Sequence, residues 1–455
     1  MMYKLFLLSA LFICFSVQGF SLTDNDTLKT TKNKAEKIKD GWTFGAVPVV
    51  AYDSDLGFKY GGLVNFYNYG KPTTYPEYQQ SIYLEISRTT KGSGINQLFF
   101  DSEHMFPNRP IRITADLSYL TEQALDFYGF NGYESAYFMD FENDETDDYI
   151  SRMYYRYERK LLRFTLDFQG SLLGDNLNWL IGFGHFNHEL GSVDIDKLNE
   201  GKDGDDLIPD TASLYDKYVD WGLIPAKEAD GGVMNYLKFG TIYDTRDNEA
   251  NPMKGIWSEV IIVTAPKLLD NYENSFTKLS LIHRQYFTLI PSKLSFAYRV
   301  GYQGTVQGNP PFYYQPYLIS SFSPSVLTEG LGGAKSLRGI RRDRIVGEDI
   351  VYGNFEFRWK FWKGVIKNQN FYLALSTFLD AGKVTKPIEI NKNLIPASEN
   401  LVNYFDESSD KIHASSGIGL HVVLNENFIV AFDYGMAFDK RDGDNGLYIG
   451  MNFLF

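Results

Sequence analysis

Gly450-Met451-Asn452-Phe453-Leu454-Phe455 closes the chain, and its reading decides the fold. Alternation runs back through it: Leu447, Ile449, Met451, Phe453 and Phe455 take one face of an extended strand, and Tyr448, Gly450 and Asn452 take the other. An aromatic strand at the edge of a soluble sheet exposes unpaired backbone groups and an apolar face, which together template aggregation. In a β-barrel within a bilayer, lipid takes the apolar face and closure onto the first strand removes the edge. The stretch therefore reads as the last strand of a transmembrane antiparallel β-barrel; the competing reading is the last strand of a soluble sandwich.

The other end agrees with export. Met1-Met2-Tyr3-Lys4 precedes an apolar run from Leu5 to Val17, and Val17-Gln18-Gly19 offers short residues for cleavage, so residues 1–19 are expected to be a secretory signal peptide. That run falls short of the roughly 20 apolar residues a spanning helix needs. Cys14 lies inside it and is the only cysteine, so the mature chain is expected to have no disulfides. Residues 20–41 are polar and rich in Lys and Thr, as suits a short periplasmic tail.

Composition narrows the class further. Aromatics make up 16% of the chain, and no later segment is a candidate spanning helix, as expected where strands alternate lipid-facing and lumen-facing side chains. The formal charge of -13 argues against a nucleic-acid binder, which needs a basic surface. In a barrel these acids belong in outer loops and the lumen. The run Asp140, Glu142, Asp144, Glu145, Asp147, Asp148 reads as one such solvated loop, with a divalent-cation site bridging lipopolysaccharide as the alternative.

Strand-like segments follow from Trp42 to the end. They are Trp42–Asp53, Gly57–Asn68, Tyr78–Arg88, Ile95–Met105, Ile111–Leu120, Tyr149–Leu172, Asn178–His188, Asn235–Asp244, Ile256–Ala265, Phe276–Leu289, Lys293–Gly304, Ile350–Phe361, Phe371–Ala381, His413–Leu424, Phe428–Phe438 and Gly446–Phe455, about 16 strands in a barrel over 42–455. Asp53-Ser54-Asp55 is the expected turn of the first hairpin. In Tyr149–Leu172 the apolar phase flips, from Tyr155 and Tyr157 to Leu162, Phe164, Leu166 and Phe168, so a hairpin or a β-bulge near 159–161 is expected. One bulged strand keeps short connections (such as Phe106–Pro110 and Asn425–Asn427) on one rim and long ones on the other, as in outer-membrane barrels.

Three internal segments carry identity. Tyr243-Asp244-Thr245-Arg246-Asp247-Asn248 leads to Pro252-Met253-Lys254-Gly255, a turn before an apolar strand. Leu331-Gly332-Gly333-Ala334-Lys335-Ser336-Leu337-Arg338-Gly339-Ile340 is a glycine-rich loop in which Arg338 can reach a carboxylate bidentately. Phe371–Gly382 ends Phe378-Leu379-Asp380-Ala381-Gly382; its parity sends Asp380 into the lumen, and parity in the preceding strand sends Asn354, Glu356 and Arg358 to the same wall.

In this order, with a terminal Phe, the segments resemble the C-terminal barrel of the BamA/TamA surface-antigen family of outer-membrane assembly and translocation proteins. The C-terminal Gly-x-x-aromatic-x-aromatic pattern also resembles the insertion signal of outer-membrane barrels, carried here by Tyr448, Gly450, Phe453 and Phe455. The resemblance implies that the long loop folds into the lumen and that its Leu337-Arg338-Gly339 motif places Arg338 on acids of the inner wall, Asp380 and Glu356. Ile340 departs from the family's aromatic at that position. Family members that assemble other barrels carry polypeptide-transport-associated (POTRA) domains ahead of the barrel, whereas only roughly 20 mature residues precede Trp42 here, too few for such a domain. The expectation is therefore a barrel without its own periplasmic arm.

The expected role is non-enzymatic: assisting insertion or translocation of proteins, or lipids, in the bacterial outer membrane through a weakly paired seam between the first and last strands. Gly446 and Gly450 are compatible with a loose last strand, though they also suit the relief of crowding. Expected partners are outer-membrane lipid, lipopolysaccharide and accessory proteins that deliver clients, with no nucleic acid. The alternative is a channel or transporter gated by the in-folded loop. His104, His185, His188, His283, His413 and His421 show no catalytic or metal-ligand spacing, so no catalytic residue, metal or cofactor is expected.

Overall fold

The computed structural model describes residues 38–53, 57–73, 75–103, 105, 111–269, 275–321, 330–366 and 369–455. The signal segment 1–19, most of the tail 20–41, the centre of the Asp53-Ser54-Asp55 turn, His104 and the connection 106–110 lie outside them. Sixteen strands form one antiparallel sheet in strict sequence order. They are β1 (Trp42–Asp53), β2 (Gly57–Asn68), β3 (Gln80–Thr89), β4 (Gly94–Ser102), β5 (Ile111–Asp126), β6 (Arg156–Leu173), β7 (Leu177–Gly191), β8 (Gly231–Asp244), β9 (Gly255–Ala265), β10 (Phe276–Ile290), β11 (Leu294–Gly308), β12 (Asp349–Ile366), β13 (Gln369–Lys386), β14 (His413–Leu424), β15 (Phe428–Ala437) and β16 (Asn445–Met451).

Period-2 alternation makes these strands and aims their side chains. In β12, Asn354, Glu356 and Arg358 are buried while Phe355, Phe357 and Trp359 are exposed. In β13, Ala374, Ser376, Phe378 and Asp380 are buried and Leu375 and Leu379 are exposed. Charged groups inside and aromatics outside invert the pattern of a soluble sheet and match a barrel in lipid.

Connections separate the two rims. Tight turns join β6 to β7, β10 to β11 and β14 to β15, all on one rim. The opposite rim carries the segments 127–155, 192–230, 309–348 and 387–412. These long segments pack into an aromatic cap. Phe127 meets Phe130, Tyr215 and Tyr218 edge-on, and Phe312, Tyr314, Tyr154 and Tyr404 are buried in the same cluster. A short helix, α2 (Leu214–Asp220, after α1 at Ile195–Asn199), feeds Tyr215 and Tyr218 into it and is started by a Ser213/Asp216 capping box. In the acidic run, Asp140, Asp144, Glu145, Asp147 and Asp148 are exposed, and Glu142 pairs with Arg156 at 3.0 Å.

Two sequence expectations are corrected. First, β6 is one strand with no bulge at 159–161: Tyr157, Arg159, Leu161 and Arg163 all face inward and Leu162 faces out. The apolar phase flips because Tyr157 and Leu161 join the cap's core, while the irregularity sits opposite, on β5 between Glu122 and Leu125. Tyr155 precedes the strand. Second, β16 ends at Met451. Asn452 adopts a left-handed φ of 66°, and Phe453 and Phe455 become buried, although Leu447 and Ile449 of the same sequence phase are exposed.

The second correction bears on how the sheet's two ends meet. Among the described residues no ladder joins β1 to β16. Instead, the rim side of the first hairpin rests on the β14–β15 turn. The Phe428 ring packs against the Cα of Gly45, the Tyr67 hydroxyl donates to the Asn427 carbonyl at 3.2 Å, and the Asn427 amide donates to the Tyr69 hydroxyl at 3.2 Å and the Pro76 carbonyl at 2.6 Å. Asn370 adds a bond to the Tyr75 hydroxyl at 2.9 Å.

Candidate functional site

The connection from β11 to β12 enters the lumen as a folded-back loop. Leu331 and Ile345 form an isolated antiparallel bridge, and the Ser336 hydroxyl bonds both the N–H and the carbonyl of Gly332. Leu331, Leu337, Ile340 and Ile345 make its apolar underside, packed with Ile350, Tyr352 and Val384 of the wall. Ile340 is fully buried, so an aliphatic side chain fills the place where the resemblance implies an aromatic.

At the tip of the fold Arg338 is 0% exposed. Its backbone N–H and Nε both donate to Asp380 Oδ2, at 3.0 and 2.9 Å, and Nη2 donates to Oδ1 at 3.0 Å. Nη1 lies 2.7 Å from Glu356 Oε1, an ion pair off the hydrogen-bonding axis, and 3.6 Å from Asp433 Oδ2. The guanidinium carbon sits 3.5 Å from the centroid of the Phe378 ring. A permanently charged guanidinium is thus held by three carboxylates and an aromatic face, drawn from β12, β13 and β15.

Two glycines allow this approach. Gly339 has φ 94°, and a Cβ there would lie 2.6 Å from the Met436 amide nitrogen. A Cβ on Gly435 would lie 2.7 Å from the Arg338 carbonyl carbon. The loop backbone therefore lies directly on β15.

The loop is also tied to the last strand. Gly339 N–H donates to the Tyr448 hydroxyl at 2.9 Å, and Lys335 Nζ donates to the Met451 carbonyl at 2.8 Å, where β16 leaves the sheet. Asn354 on β12 donates to the Ser336 carbonyl at 2.7 Å.

The structure brings Leu337, Arg338, Gly339, Glu356, Asp380 and Tyr448 into one cluster. Gly450 stays within β16, and Phe453 and Phe455 lie inside, away from the lipid face their parity implies. Sequence reasoning missed Asp433, whose signal is an inward-phase acid between Phe432 and Tyr434. It also missed a buried cluster in the cap, where His413 places Nδ1 2.6 Å from Asp442 and Nε2 2.9 Å from Asp410 while Tyr133 stacks on its ring at 3.8 Å. Asp410 and His413 are only three residues apart, but Tyr133 and Asp442 come from other connections, so no local spacing announces the whole cluster. Among the described residues no group of three or more His, Cys, Asp or Glu side chains is disposed to hold a metal ion.

Residues 80–455 match the family model of the Omp85 superfamily domain. Similar solved structures include BamA from Haemophilus ducreyi lacking POTRA domains 1–3 (16% identity, TM-score 0.47, 91% of this chain and 69% of that one). CdiB from Escherichia coli (11%, TM-score 0.49, 90% and 60%) and CdiB from Acinetobacter baumannii (12%, TM-score 0.40, 90% and 60%) are others. Among curated proteins there is no match.

Proposed function

This chain belongs to the Omp85 superfamily, whose members are outer-membrane proteins, and from that premise we propose that it assists the insertion or translocation of polypeptides at the outer membrane. In this reading residues 1–19 direct export, residues 42–455 form the membrane barrel, and the chain acts without catalysis beside accessory proteins that deliver clients. Lipid and lipopolysaccharide surround its outer face. The observation that carries the reading is the junction of β1 and β16. The sheet ends in a twelve-residue strand on one side and a seven-residue one on the other, with no ladder between them among the described residues. An unpaired strand edge in a membrane is a template for an incoming strand, because its N–H and C=O groups have no water to turn to. Arg338 and its acids act here as an anchor that holds the loop, and through Tyr448 and Lys335 the loop holds the short strand.

The test is depletion of the protein in its native host, with quantification of the outer-membrane proteome. Selective loss of barrel proteins or surface-exposed proteins is expected. An unchanged proteome sinks the insertion reading and turns attention to transport.

A further inference from the structure

The turn from β8 to β9 carries the Asp244-Thr245-Arg246-Asp247-Asn248 segment and lies on the rim of tight turns. It is braced from within. Arg246 donates to Asp244 through Nε at 3.0 Å and Nη2 at 2.9 Å, and its guanidinium carbon sits 4.0 Å from the Trp257 ring centroid. Arg246 Nη1 donates to the Glu249 carbonyl at 3.1 Å, and Asp247 Oδ1 accepts from the Met253 and Lys254 N–H groups at 2.9 and 3.2 Å. A turn tied in this way keeps its shape as one piece.

Its tip touches opposite walls. Glu249 Oε1 lies 2.7 Å from Arg112 Nη2 on β5. One residue later, Ala250 packs against Tyr372, Ala374, Val423, Ile429 and Phe453, and the Asn251 amide donates to the Tyr372 hydroxyl on β13. β5 and β13 are eight strands apart in a sheet of sixteen. Neighbouring residues of one turn can meet both strands only where the turn lies across the mouth of the lumen, inside the ring of strands. On the way, the Thr288 hydroxyl of β10 donates to the Met253 carbonyl at 3.0 Å.

The two ends of this crossing are held differently. Asn251 is buried, and Ala250 beside it sits on an apolar cluster. The Glu249 side chain is 34% exposed, and Arg112 does not depend on it. Arg112 also donates to Asp101 through Nε and Nη2, both at 2.7 Å, and to Glu103 at 3.2 Å. Withdrawing Glu249 therefore leaves no buried charge unpaired, and a half-exposed ion pair of this kind holds weakly and is screened by salt.

We propose that residues 245–254 form a releasable strap across the tight-turn mouth of the lumen, seated on β13 and latched to β5 by Glu249 and Arg112. With the latch closed, the strap covers the lumen wall from that side; with it open, the braced turn swings on the ends of β8 and β9 and uncovers the wall around Ala374. The strap works at the mouth opposite the aromatic cap and serves insertion and transport alike, so it goes beyond the insertion reading.

The experiment uses the full purified chain in detergent, in a background free of Cys14, with Ala374→Cys as a probe beneath the strap and a charged methanethiosulfonate as the reagent. Glu249→Gln is expected to speed labelling at least threefold, and Ala250→Asp, which puts a charge into the apolar seat, at least tenfold. Salt at about 1 M is expected to speed labelling while Glu249 is present and to have no effect in Glu249→Gln. Lys254→Gln, an exposed charge on the same turn, leaves the rate unchanged. A second probe, Ser135→Cys in the buried cap, keeps its slow rate in every strap variant. Unchanged labelling at Ala374→Cys, or equal acceleration at both probes, overturns the proposal. If Ala250→Asp loses its folded electrophoretic mobility, Glu249→Gln and the salt series decide alone. Labelling needs neither host nor client, so its outcome is independent of the depletion experiment.

Discussion

Arg338 shows how one side chain can organise a lumen. Burying a guanidinium is tolerated only when its partners replace the water it loses, and Asp380, Glu356 and Asp433 do so from three strands. Removing it takes the ion-pair partner from Asp380 and Asp433 and leaves Glu356 with Arg358 alone. Arg338→Ala is therefore expected to cost about 3–5 kcal/mol, read as a lower temperature for loss of the folded electrophoretic form and faster proteolysis within 330–348. Arg338→Lys should recover only part of this, since an ammonium cannot make the bidentate contact with Asp380. Proteolysis and heat stability unchanged in both variants would refute the anchor. Parity in two strands was enough to put Glu356 and Asp380 on one wall. It could not bring Asp433 to the same cation, because that contact depends on where a long loop comes to rest.

At the scale of elements, the informative feature is how the first and last hairpins meet. β1 is paired with β2 alone among the described residues, and the end of β2 and the β2–β3 turn reach across to Asn427 and Asn370. Hydrogen bonds of this kind contribute about 1 kcal/mol each, so the clasp is firm enough to hold and weak enough to release. Asn427→Ala removes the donors to Tyr69 and Pro76 and is expected to cost about 1–3 kcal/mol while making the β1 edge easier to crosslink to an added strand peptide. Stability and crosslinking both at wild-type levels would show that the clasp does not guard the junction. The length of β16 was not legible in the sequence. Uninterrupted alternation runs to Phe455, and only the positive φ at Asn452 breaks it. For β6 the same cue misled differently, since tyrosines serving the cap's core were indistinguishable from tyrosines facing lipid.

For the whole molecule, the aromatic cap and the in-folded loop both pack inside the strands toward the long-loop rim. A barrel of this strand number is wide enough to conduct if empty. The wild type is accordingly expected to be electrically quiet in planar bilayers, and deletion of 330–345 to produce large, steady openings. Large steady openings from the wild type would favour the channel reading over insertion. The sequence by itself determined the sixteen antiparallel strands, the inside and outside faces of strands such as β12 and β13 and the rim that bears the long connections, because a period of two and the exclusion of water from lipid leave few other ways to satisfy such a chain. Only the tertiary structure decided which acids meet Arg338, how short β16 is and where Phe453 and Phe455 go. Those outcomes depend on contacts between residues distant in sequence, set by the depth to which the loop enters and by the arginines waiting on the wall.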